Sequence, residues 1–196
     1  MKPLPTLATG LAVLALAACQ RQEPPQAPDA PQAPAAPAAP ASAFPPVEPP
    51  APGTPGGLPD DRTPLAEGPF TPDSAQGAAD VVQTYYALIG ERKYNEAWRL
   101  WRDGGRRSGH TEGDFVTGFG KYASYNAQVG APSAVEGAAG SAYVTVPVVI
   151  YGRLRTGEEV HEKGAVTLRR INDVPGSTAD QRRWGIEKID LAPSPK

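Results

Sequence analysis

The sequence has little that would staple, metallate or charge a fold. It has one cysteine and two histidines in 196 residues, and 19 Lys and Arg against 21 Asp and Glu. A lone thiol cannot close an internal disulfide. A metal centre needs three or four converging ligands. Neither His110 nor His161 has a second histidine at helical spacing, so no metal and no cofactor are expected. The charge balance excludes the strong basic excess of a dedicated nucleic-acid binder. No G-x-S-x-G, P-loop or G-x-G-x-x-G follows a strand in the context those motifs need. Long apolar runs are absent too. The best, residues 7–18, is 12 residues long, against the ~20 a membrane-spanning helix requires.

That short run is informative. Lys2 supplies a positive start, the apolar stretch has the length of a secretory h-region, and small residues close it. Leu16-Ala17-Ala18-Cys19 resembles a bacterial lipobox. The resemblance implies cleavage before Cys19, a diacylglycerol on its thiol and an acylated amino terminus, so residues 1–18 are a lipoprotein signal peptide. Two or more acyl chains anchor stably where one does not. In the lipoproteins this resembles, aspartate after the cysteine favours the inner membrane, so the resemblance with Gln20 implies the outer membrane, facing the periplasm. The expected partner at this end is the membrane itself.

Residues 19–69 then read as a tether. Most of the 24 prolines of the chain lie there, interleaved with alanine. Proline has no amide donor and a fixed φ, so neither helix nor sheet propagates, and a segment with few large apolar side chains cannot offset its ordering entropy. The expectation is a disordered Pro/Ala-rich spacer that adds nothing to a core.

Residues 70–192 carry aromatics, charge and periodicity, enough for one core; 193–196 is a short tail. Spacing of three and four predicts a helix over 74–89, capped by Asp73 or Ser74, and a second over 94–102 with Trp98 and Trp101 on one face. Thr111 and Asp114 match a capping-box-like start for a third, which brings in Phe115, Phe119 and Tyr122. The period then changes to two. Strands are predicted over 125–136, 142–152, 157–171 and 184–191, with a loop over 172–181. Pro147 belongs at an edge or a bulge.

Helices followed by strands predict an α+β fold with helices on one sheet face. The segments AADVVQTYYALIGERKYNEAWRLW, SAYVTVPVVIYG, KGAVTLRRI and WGIEKIDL resemble the NTF2-like superfamily, which includes ketosteroid isomerase and the SnoaL-type polyketide cyclases. The resemblance implies N-terminal helices packed on a curved antiparallel sheet, enclosing a cone. Dimers are common in that family.

The family's enzymes place an acid–base pair in the cone. Here both histidines are expected at the surface and no catalytic residue is assigned. Tyr86, Trp98, Trp101, Phe115 and Phe119 have two readings, a hydrophobic core or the lining of a pocket for an apolar ligand; helical spacing favours core. Arg99, Arg102, Arg106 and Arg107 form a basic cluster with acidic neighbours, expected to be solvated and internally paired. The function expected is a non-catalytic ligand-binding or protein-interaction module, its partner an envelope protein or an apolar small molecule. The alternative is an isomerase- or cyclase-type enzyme using the cone.

Overall fold

The computed structural model describes residues 44–60 and 71–195. Cys19, the signal peptide and most of the tether lie outside the described residues. Within them, α1 (Ala75–Gly90), α2 (Tyr94–Arg99) and α3 (Glu112–Phe119) precede β1 (Tyr122–Val129), β2 (Glu136–Ala138), β3 (Ser141–Leu154) and β4 (Glu159–Ile171). A short α4 (Ala179–Arg182) leads into β5 (Gly185–Pro193). The strands form one antiparallel sheet, ordered β1-β3-β4-β5, with β2 also on β3. The α+β class and the order of helices before strands are as expected.

The helix starts follow the capping chemistry read from the sequence. Ser74 Oγ accepts from Gly77 N–H, and Thr111 Oγ1 accepts from Asp114 N–H. The expected end of α2 is wrong by three residues. Residues 100–102 leave the helix and cover the open edge of β5. Arg102 N–H donates to Ile186 O and Ile186 N–H to Leu100 O, both at 2.9 Å. A sheet edge with unpaired amides is a stronger claim on these residues than one more helical turn.

Alternation sets the core. Ala142, Val144, Val146, Val148 and Ile150 of β3 face the helices and are buried, with Val166, Leu168 and Ile186 from β4 and β5. Against them pack Ala78, Val82, Tyr85, Tyr86 and Ile89 of α1. Two inward-facing glycines let the sheet curve tightly. A Cβ on Gly152 would sit 2.3 Å from Ser124 O, and one on Gly164 only 1.8 Å from Asp190 O. Pro147 lies midway along the long β3, between the stretches paired with β1 and β2. Its carbonyl accepts from Gly130 N–H, so its missing amide faces the gap where β1 has ended and β2 has not begun. The strand is locally an edge there.

Three further expectations change. The single strand over 125–136 is two, β1 and β2, and Tyr122 belongs to β1 instead of the third helix. The loop over 172–181 contains α4, which has a capping box between Thr178 and Gln181. The tether was expected as a bare spacer to residue 69, yet residues 44–60 lie against the domain and belong to the same compact unit, Ser42–Lys196. This strap turns on its own hydrogen bonds, Gly57 N–H to Thr54 O and Gly53 N–H to Leu58 O. Gly56 and Gly57 are buried. Leu58 and Pro147 meet over the α-carbon of Gly130, and Pro45 O accepts from Arg153 Nη2. Proline forbids regular structure, but it does not forbid docking.

Candidate functional site

The sheet, α1 and α3 leave a pocket of about 330 Å³. Its wall is aromatic: Tyr85 and Tyr86 from α1, Trp101, Phe115 and Phe119 from α3, Tyr122 and Tyr125 from β1. Ile189 and Leu191 of β5 complete it, with Ser108, His110, Asp114 and Lys121 at the mouth. The rings hold one another. Tyr85 and Tyr86 meet edge-on at 4.9 Å, Phe115 and Phe119 at 5.1 Å, Phe119 and Tyr125 at 5.3 Å, Tyr122 and Tyr125 at 4.8 Å. Such pairs fix ring orientation as well as adding stability.

Of the five aromatics singled out from the sequence, four converge here. Tyr86, Trp101 and Phe115 are core and pocket wall at once, since each is buried and also lines the pocket. Trp98 is not in the wall. It packs over Gly105, whose φ is +90°, and its Nε1–H donates to Ser108 Oγ at 3.1 Å and to His110 O at 3.3 Å. Trp98 therefore positions the loop that carries two rim residues. Tyr85, Tyr125, Ile189 and Leu191 were not singled out as site residues. Tyr85 was legible as part of the inward face of α1, but the contributions of β1 and β5 depend on strand register.

The chemistry of the wall is that of neutral phenols. Burial pushes the Tyr85 hydroxyl well above the ordinary phenol range, with the Trp101 side chain opposing it. Tyr86 is raised by burial, then by the charges that Tyr85 and Glu162 would carry beside it. Tyr125 is raised by burial, then by its tyrosine neighbours and Glu162. All three stay protonated at neutral pH and act as O–H donors rather than bases. Tyr86 Oη is buried without a hydrogen-bond partner among the described residues. An unsatisfied buried hydroxyl costs about 1–3 kcal/mol.

The ionisable groups do not form an acid–base pair in the pocket. His110 is exposed at the mouth, as expected. His161 is not exposed, contrary to expectation. Its side chain is 7% exposed and Nε2 lies 3.6 Å from Glu159. It stands opposite Tyr151 on the outer face of the sheet, away from the pocket. Glu162, opposite Ile150, faces inward and is half-buried, but it is not part of the pocket wall. Among the described residues no group of three or more His, Cys, Asp or Glu is placed to hold a metal.

A larger cleft of about 710 Å³ lies at the other end, between α1, the end of α2 and α4. Asp73, Asp80, Asp103 and Asp180 balance Arg99, Arg102, Arg182 and Arg183 there, and several of these arginines are engaged. Arg182 pairs with Asp173, Arg183 with Asp180, and Arg102 lies 3.9 Å from Glu187. Arg107 shares Glu187, and Arg99 lies 3.8 Å from Glu112. Arg99 and Arg107 are exposed and paired in the way expected, whereas the Arg102 side chain is only 9% exposed.

No protein-family model matches the sequence, and no curated protein does. Among solved structures, the chain is similar to the Kfla4162 protein from Kribbella flavida, at 11% identity and a TM-score of 0.43 over 61% of this chain and 90% of that one. It is also similar to an NTF2-like superfamily protein from Salmonella enterica serovar Typhimurium, at 14% identity and a TM-score of 0.44 over 62% and 92% of the two chains.

Proposed function

We propose that the protein is a lipid-anchored envelope lipoprotein whose NTF2-like domain is a non-catalytic receptor for a small apolar, ring-bearing ligand. One observation carries the ligand reading. Tyr86 belongs to the aromatic wall and its buried hydroxyl has no partner among the described residues, so a ligand that brings one hydrogen-bond acceptor against it would satisfy it. Three neutral phenols and apolar rings suit such a molecule, and the groups of the lining able to take a proton, His110 and Asp114, are exposed at the mouth. The anchor reading rests on the Leu16-Ala17-Ala18-Cys19 sequence.

The experiment is fluorescence titration with 1-naphthol. Tyr86→Phe keeps the ring and removes only the donor, so the fold should persist and affinity should fall about fivefold, the usual effect of losing one hydrogen bond of ~1 kcal/mol. Unchanged affinity in a folded Tyr86→Phe would overturn the reading. The alternative, an isomerase- or cyclase-type enzyme, has one observation in its favour: the inward Glu162 acts electrostatically on Tyr86 and Tyr125. Proton exchange from a ketone probe that is lost in Glu162→Gln would favour it.

A further inference from the structure

The strap decides which end of the domain the N-terminal chain enters. Phe44, 48% exposed, lies beside Gly157 in the turn between β3 and β4. The Arg153 guanidinium is 5.3 Å from its ring centre. That turn is bound to the start of β1. Arg155 N–H donates to Lys121 O at 2.9 Å, and Arg155 Nε to Gly120 O at 2.7 Å. Lys121 and Tyr122 line the mouth of the aromatic pocket, and Arg92 faces Tyr122 across a small cleft with Tyr94 and Phe119. Chain entry, pocket mouth and this turn therefore share one end.

The end has a definite chemistry. Arg92, Lys121 and Arg155 are exposed, and none has a carboxylate at ion-pair distance among the described residues. Lys93 and Arg153 are neutralised by Glu91 and Glu159; Glu158 is a further exposed acid in the turn. Interleaved with the three cations are Phe44, Tyr94, Phe119 and Tyr122. Cations beside aromatic rings suit the headgroup layer of an anionic bilayer, where phosphates meet the charges and rings sit at the interface.

We propose that this end is a docking surface for anionic phospholipid, so that the pocket opens toward the membrane. The proposal rests on the anchored-lipoprotein reading for its setting. Residues 20–43 connect Cys19 to Phe44, a span of at most about 90 Å, and docking of the strap makes the cationic end the leading one.

The test uses residues 20–196, which hold every contact described above and carry no anchor, with sedimentation on phosphatidylcholine vesicles with and without phosphatidylglycerol. Each cation near such a surface is worth a factor of about five. Lys121→Gln/Arg155→Gln should therefore lose roughly 25-fold in partition to the anionic vesicles. Arg182→Gln/Arg183→Gln removes the same charge from the other end of α1, about 24 Å away, and should bind like the parent. Equal losses in both pairs, or no sedimentation of the parent with phosphatidylglycerol, would overturn the surface. Palmitate labelling of Cys19 in cells tests the anchor separately. A labelled chain with no vesicle binding keeps the anchor and refutes the surface; an unlabelled chain that binds does the reverse.

Discussion

Gly105→Ala tests how the pocket rim is held. The residue has φ +90°, where a side chain costs about 1–2 kcal/mol. Its new Cβ would also fall 2.2–2.4 Å from three atoms of the Trp98 ring, and overpacking of that kind costs about 1–3 kcal/mol more. The sum, about 2–5 kcal/mol, is a large part of the ~5–15 kcal/mol available to a small domain. Trp98→Ala removes the clash but leaves the backbone strain. In urea unfolding, the double variant should therefore be about 1–3 kcal/mol more stable than the sum of the single effects predicts. A Gly105→Ala midpoint near that of the parent, or additivity within ~0.5 kcal/mol, would refute the packing of Trp98 on this loop.

Trp101→Ala should cost about 3–5 kcal/mol by urea unfolding, because the indole is buried core as well as pocket wall. Leu58→Ala should lower the thermal midpoint measurably, since the side chain packs on Pro147 and Gly130; no change in calorimetry would return residues 44–60 to a passive spacer. Alkaline pH gives a signed test. Unfolded phenols release protons near pH 10, whereas Tyr85, Tyr86 and Tyr125 hold theirs higher in the fold. Above that pH the unfolded chain binds fewer protons, so stability falls as pH rises, by up to about 4 kcal/mol per pH unit for three groups. Ultraviolet absorbance should show these three ionising only together with unfolding.

What the sequence determined by itself was whatever depends on neighbours along the chain. The cap at Ser74, the Thr111–Asp114 start of α3, the inward stripe of α1 and the alternation of β3 are local rules, and each holds in the structure. Helical spacing put Tyr86, Phe115 and Phe119 on inward faces, but Trp101 lies outside α2, and the convergence of the four is tertiary. Only the tertiary structure decided the rest, because it turns on contacts across the chain. Residues 100–102 became an edge cover because β5, some 85 residues later in the sequence, leaves an open row of amides there. Pro147 is accommodated inside β3 because β1 and β2 break opposite it. The His161 side chain is nearly covered, although its strand pattern places it on the outer face. Phe44, Pro45 and Leu58, whose composition reads as a spacer, lie against the domain because β3 and the turn after it offer Pro147, Arg153 and Gly157 to receive them. Local propensity reports what a segment does in water, and docking depends on the surface it finds.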